Sequence, residues 1–106
     1  MNWRSPILRK LMAELPCQRC GIEGQSVGAH YFGPRRHTLG GGMGIKPTDA
    51  AMAALCSSCH MHMDTYRDGN NWERSEEFLY LILLTHHRLL ERGLLMPGKP
   101  TGGASE

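Results

Sequence analysis

The chain has no apolar run long enough to cross a bilayer, few aromatic residues and little excess of either charge. Its apolar run Phe78 to Leu84 is only seven residues, with Glu76-Glu77 before it and His86-His87 close behind, against the roughly 20 a membrane-spanning helix needs. No apolar stretch with a small-residue cleavage site follows the opening Met-Asn-Trp-Arg-Ser-Pro, so a secretory leader is unsupported and a soluble, cytoplasmic protein is expected. Two Trp, three Tyr and two Phe are scattered along 106 residues, so the aromatic platforms on which single-strand readers stack bases are not evident. The formal net charge is only +2, but it is unevenly placed. Residues 1–46 hold seven Lys/Arg against two acids (+5), and residues 47–106 hold five against eight (−3). That asymmetry suits one face meeting a polyanion while the other stays in solvent.

A chain this short makes one small domain with a thin core, a size at which a structural metal is a common remedy. Four cysteines are present, as Cys17-Gln18-Arg19-Cys20 and Cys56-Ser57-Ser58-Cys59. Two C-x-x-C hooks separated by 35 residues suit one tetrahedral zinc with four thiolate ligands. Two disulfides are the alternative, disfavoured by the missing leader. His60 follows the last cysteine directly, so a zinc that fixes Cys59 also fixes where that imidazole points.

Hydrophobic periodicity orders the rest. Ile7, Leu8, Leu11, Met12 and Leu15 predict an amphipathic helix over Ser5 to Leu15, with Ser5 as cap, Pro6 at the first position and Pro16 beyond its end. Arg4, Arg9 and Lys10 are expected on its solvated face. Val27, Ala29 and Tyr31 alternate with Ser26, Gly28 and His30, which predicts a strand with His30 opposite the apolar side chains. Residues 32–49 hold five glycines and two prolines and predict a long loop with little regular structure. Loops of that length in small domains are commonly functional. Arg35, Arg36, His37 and Lys46 stand on it, a pattern that suits nucleic-acid backbone held by cations and free amides.

Ala50 to Leu55 fits either a short return strand or a turn of helix. From Ser57 a helix is expected that puts His60 and Asp64 on one face, with Met61 and Met63 as packing. Asn71 can cap a long helix over about 72–92, with Gly93 at its left-handed end and Leu94 folding back toward Leu89. Its apolar circumference predicts packing across the zinc module or against a second copy, a homodimer. His86 and His87 are read as surface or partner-facing. The composition of residues 97–106 is that of a flexible tail. The whole reads as a single α+β, zinc-stabilised domain over 1–96, with a core over about 17–66.

In order, the chain gives C-x-x-C, the strand pair Ala29-His30, a glycine loop with Lys46-Pro47-x-Asp49, then Cys56-x-x-Cys59-His60-x-x-x-Asp64. This order resembles the HNH endonucleases, the ββα-metal group, and most of all the short prophage-encoded YbcO-like nucleases, over about half the chain. The resemblance implies a ββα-metal finger, here with an added N-terminal helix and a long C-terminal one. It implies a bacterial or phage origin and metal-dependent hydrolysis of DNA to a 5′-phosphate and a 3′-hydroxyl. His30 matches the general base, and His60 matches the helical ligand of a catalytic Mg²⁺ or Mn²⁺. Two positions depart from the pattern: Ala29 stands where many relatives carry Asp or His, and Ala51 where an Asn is frequent. Asp64, sharing a helical face with His60, is the expected further ligand of the catalytic ion. Asp49 is the second choice for that ligand and otherwise caps a turn or orients His30, and His37 is a reserve for base or phosphate contact. Two other readings stay open: a non-catalytic zinc module that binds DNA or protein, and an RNA-processing nuclease.

Overall fold

A computed structural model describes residues 1–64 and 71–95. The order of elements is α1 (Pro6–Ala13), β1 (Ser26–His30), a 3₁₀ turn (Arg36–Leu39), β2 (Met52–Cys56), α2 (Ser57–Met63) and α3 (Trp72–Glu91). Among the described residues the fold is α+β: three α-helices around one antiparallel two-stranded sheet. The register pairs Ser26 with Cys56, Ala29 with Ala53 and His30 with Met52. None of the described helices is long and apolar enough to cross a membrane.

Local sequence accounts for the element ends. Ser5 Oγ accepts from the Leu8 N–H at 3.0 Å, with Pro6 at the first position of α1. Asn71 Oδ1 accepts from the Arg74 N–H at 2.9 Å and starts α3. At the other end of α3, Gly93 has φ 69°. The Gly93 N–H donates to Leu90 O and the Leu94 N–H to Leu89 O, the paired bonds of a Schellman closure.

Alternation along β2 divides the core in two. Ala53 and Leu55 join Ala29, Tyr31, Met63, Phe78, Leu81, Ile82 and the cysteines Cys17, Cys56 and Cys59 on one face. Met52 and Ala54 join Leu8, Met12, Leu15 and Leu89 on the other. A strand covered on both faces reads as an unbroken apolar run. Residues Ala50 to Leu55 therefore showed no alternation, and the strand reading is the one realised. The long helix packs across the cysteine module, as Phe78, Leu81 and Ile82 show, and turns Tyr80, Leu83 and Leu90 outward.

Several expectations are corrected. The first helix stops at Ala13, and Ile7 is 73% exposed although it fits the apolar period. Val27 is half-exposed, although Ala29 and Tyr31, two and four residues further on, are buried. The glycine loop is more ordered than its composition suggests, holding the 3₁₀ turn and a bridge between Gly42 and Ile45. His86 is partly buried: its Nε2 is enclosed with no hydrogen-bond partner among the described residues, and burial lowers its pKa. The tail and residues 65–70, including the outer edge of the expected core, lie outside the described residues.

The free edge of β2 is satisfied from both sides. The Ala54 N–H donates to the buried Thr85 Oγ1 at 3.1 Å, and Ala54 O accepts from the Gln18 N–H at 2.9 Å. Thr85 in turn donates to Leu81 O at 2.7 Å. Replacing Thr85 by Val keeps the shape and strands a buried amide, at a cost of about 1–3 kcal/mol. Urea denaturation of Thr85→Val is expected to show a lower midpoint with an unchanged slope.

Candidate metal centre and histidine cleft

Four sulfurs converge where the sheet meets α2. Cys17 and Cys20 lie on the loop after α1, Cys56 ends β2, and Cys59 sits in the first turn of α2. Their Sγ atoms all fall within 4.8 Å of one another, and Cys20 and Cys56 approach to 3.7 Å. A tetrahedral zinc with Zn–S bonds of about 2.3 Å requires sulfurs roughly 3.8 Å apart. The residues therefore fit a metal ion, as the double hook implies, and the set is compatible with structural zinc. Nothing in the arrangement resembles two separate disulfide pairs, and all four cysteines are free.

The electrostatics around the sulfurs are uneven. Burial opposes a thiolate at Cys17, but hydrogen bonds from the backbone N–H groups of Cys20, Cys56 and Arg19 outweigh it and bring the thiol down to about 6. Burial pushes Cys59 up to about 12, and its sulfur neighbours add to the rise, although Arg19 donates toward it from 3.6 Å. A bound dication reverses that rise, because a coordinating thiol gives up its proton outright. Arg19 also holds Glu77 at 3.1 Å, which ties the first knuckle to α3.

The second feature is built on His30. Its Nε2 lies 2.7 Å from Asp49 Oδ1, and its side chain is only 11% exposed. Asp49 is wholly buried. Burial opposes its charge, but the Ser5 N–H at 2.7 Å, the His30 ring and Arg9 more than compensate and hold the carboxyl below its usual range. Arg4 adds a contact at 3.3 Å and donates to Lys46 O and Pro47 O as well. An ionised carboxylate can only accept, so Nε2 carries the proton and Nδ1 keeps the lone pair. Burial is the main influence on His30 and lowers its pKa despite the Asp49 bond, with Lys46 and Arg4 acting in the same direction as burial. The ring is therefore neutral at neutral pH, with a basic nitrogen of defined identity. Of the roles open to Asp49, orienting His30 is the one the geometry displays.

His60 stands in the middle of α2, and its Nε2 lies 3.1 Å from Asp64 Oδ2, the i, i+4 pair expected. Both side chains are about one-third exposed (35% and 39%). His30, His60 and Asp64 all line one cleft of about 420 Å³, together with Phe32, Arg36 and Lys46. Of the four loop residues proposed to contact DNA, Arg36 and Lys46 line the cleft, whereas Arg35 and His37 do not. Arg35 lies over the Trp72 ring at 5.5 Å, and Arg36 over the Phe32 ring at 5.2 Å. Among the described residues, the four cysteines are the one group of three or more clustered metal-ligating side chains. His60 with Asp64 is a pair, and Mg²⁺ commonly takes one or two protein ligands, with water and substrate phosphate completing its shell.

Comparison of the chain with family models, with curated proteins and with solved structures found no match. The site must therefore be read from its own chemistry.

Sequence reading missed the anchors of Asp49. Arg4 and Arg9 fit an ordinary solvated helix face, yet both turn toward that carboxylate. Their 40-odd residues of separation leave no local signal. The one clue was an aspartate at the end of a cationic loop.

Proposed function

We propose that this protein is a divalent-metal-dependent endonuclease of the HNH, ββα-metal type that hydrolyses DNA phosphodiesters. The observation that carries the reading is that His30, locked by Asp49, lines the same cleft as the His60–Asp64 pair, with Arg36 and Lys46 on the rim. A strand histidine, a return strand and a helix bearing the second histidine follow in the order the resemblance requires.

In this reading Arg36 and Lys46 draw the phosphate into the cleft. His30 Nδ1 takes the proton of a water as that water attacks phosphorus, and Asp49 stabilises the imidazolium that forms. The bond to the 3′ oxygen breaks, and that oxygen takes a proton from solvent water, leaving a 5′-phosphate and a 3′-hydroxyl. His60 and Asp64 would hold a Mg²⁺ or Mn²⁺ ion, whose chemistry is to neutralise the phosphate and the leaving oxygen. The cysteine cluster would hold zinc and set the angle of α2, hence of His60. A phage or prophage origin, action in the cytoplasm of a bacterial host, and pairing of two copies through the outward Tyr80, Leu83 and Leu90 belong to the same reading.

One observation favours a second reading, a non-catalytic zinc module on the same scaffold. Ala29 is fully buried and Ala51 nearly so, so two positions that often help build the family's active site here serve packing. Plasmid nicking separates the two. Wild type is expected to nick supercoiled plasmid with Mg²⁺ or Mn²⁺. His60→Ala is expected to lose nicking and retain its full zinc content. DNA binding by wild type without cutting under any divalent ion favours the module, and loss of zinc by His60→Ala makes His60 a structural ligand instead.

A further inference from the structure

The cleft has an apolar prow that the hydrolytic reading leaves unused. Gly42 and Ile45 form a two-bond bridge, Gly42 N–H to Ile45 O at 3.0 Å and Ile45 N–H to Gly42 O at 3.1 Å. Met43 and Gly44 are thus the two central residues of a tight turn, with Gly44 at φ 70°. Met43 is completely exposed, and Ile45 is 57% exposed. One exposed apolar side chain needs no explanation. Two on a single hydrogen-bonded turn, with Gly42, Gly44, Ile45 and Lys46 lining the mouth of a cleft that also holds Arg36, form a directed feature.

We propose that this turn is a DNA wedge, with Met43 entering between base pairs from the minor groove while Lys46 and Arg36 hold the flanking phosphates. The proposal rests on the DNA reading above and adds how the duplex is engaged. Three properties support it. Methionine is unbranched and adapts to an irregular gap, and it is among the side chains that minor-groove proteins insert to unstack a step. One of the two central residues is Gly44, so the tip of the turn presents a single side chain, that of Met43. The adjoining cations complement the phosphates on either side, which is where the attraction needed to offset unstacking must come from.

Unwinding of closed-circular plasmid tests this without cleavage. Wild-type protein, zinc-loaded and with no added Mg²⁺ or Mn²⁺, is mixed with plasmid and a topoisomerase that needs no metal, and the topoisomers are resolved after deproteinisation. Wild type is expected to shift the distribution toward negative supercoils. Met43→Ala should bind DNA with little change in affinity and lose the shift, while Met43→Leu should keep it. Met43 touches no core residue, so these variants fold. Wild-type binding without a shift, or a shift that persists in Met43→Ala, overturns the wedge and leaves the DNA reading standing. Absence of any DNA binding by wild type overturns both.

Discussion

Cys56→Ser is expected to give a chain that neither holds zinc nor folds. Apparent binding free energies for structural zinc are about 10–16 kcal/mol, whereas a domain's net stability is about 5–15 kcal/mol, so losing the ion removes as much as the fold has. The architecture sharpens the effect. Cys56 ends β2, and Cys17, Cys56 and Cys59 belong to the buried cluster that also holds Phe78 and Leu81. A hydroxyl at position 56 unties the knuckle from the strand and exposes that cluster. Far-UV circular dichroism and zinc analysis of the purified variant check this, and a chelator acting on wild type should reproduce the loss of helicity. A soluble, metal-free variant with native helicity contradicts it.

His30→Ala is expected to reduce nicking about 10²–10⁴-fold, the range for loss of a general base, with zinc content and helicity unchanged. The imidazole belongs to neither apolar cluster, so its removal leaves the core intact. Its pH dependence follows from the direction of its pKa. Burial depresses it below the 6.5 of a free imidazole, more than Asp49 raises it. The neutral, basic form is present at higher pH and is lost as pH falls through the depressed value, so the acid limb of nicking should lie below 6.5. The same shift affects stability. The unfolded chain takes up the proton first, so the contribution of the buried neutral ring is complete above 6.5 and declines as pH falls from there toward the folded value. A rate profile with its acid limb above 6.5 would remove His30 from the role of base.

Much of the scaffold was legible because its signals are local. Ser5 and Asn71 as caps, Gly93 as terminator and the double C-x-x-C each depend on a few neighbouring residues, and each is realised. The His60–Asp64 pair was likewise readable from helical spacing alone. What failed depends on distance. Neither the burial of Val27 and His86 nor the strand at Met52–Cys56 can be decided without knowing what packs on each face. The setting of Asp49 was the hardest to foresee. Its partners are Arg4, Ser5 and Arg9 at the start of the chain and His30 on β1, two separate parts of the sequence, and composition gives no hint that a carboxylate at a loop end is the most enclosed charge among the described residues.

The first five residues act as a strap over the glycine loop. Trp3 O accepts from the Asp49 N–H, the Ser5 N–H reaches the carboxylate, and a Cβ on Gly40 would collide with the Met1 carbonyl. Protein production has to respect this arrangement. An affinity tag fused ahead of Met1 would load the segment that holds Asp49 against His30 and leave the cysteine cluster untouched.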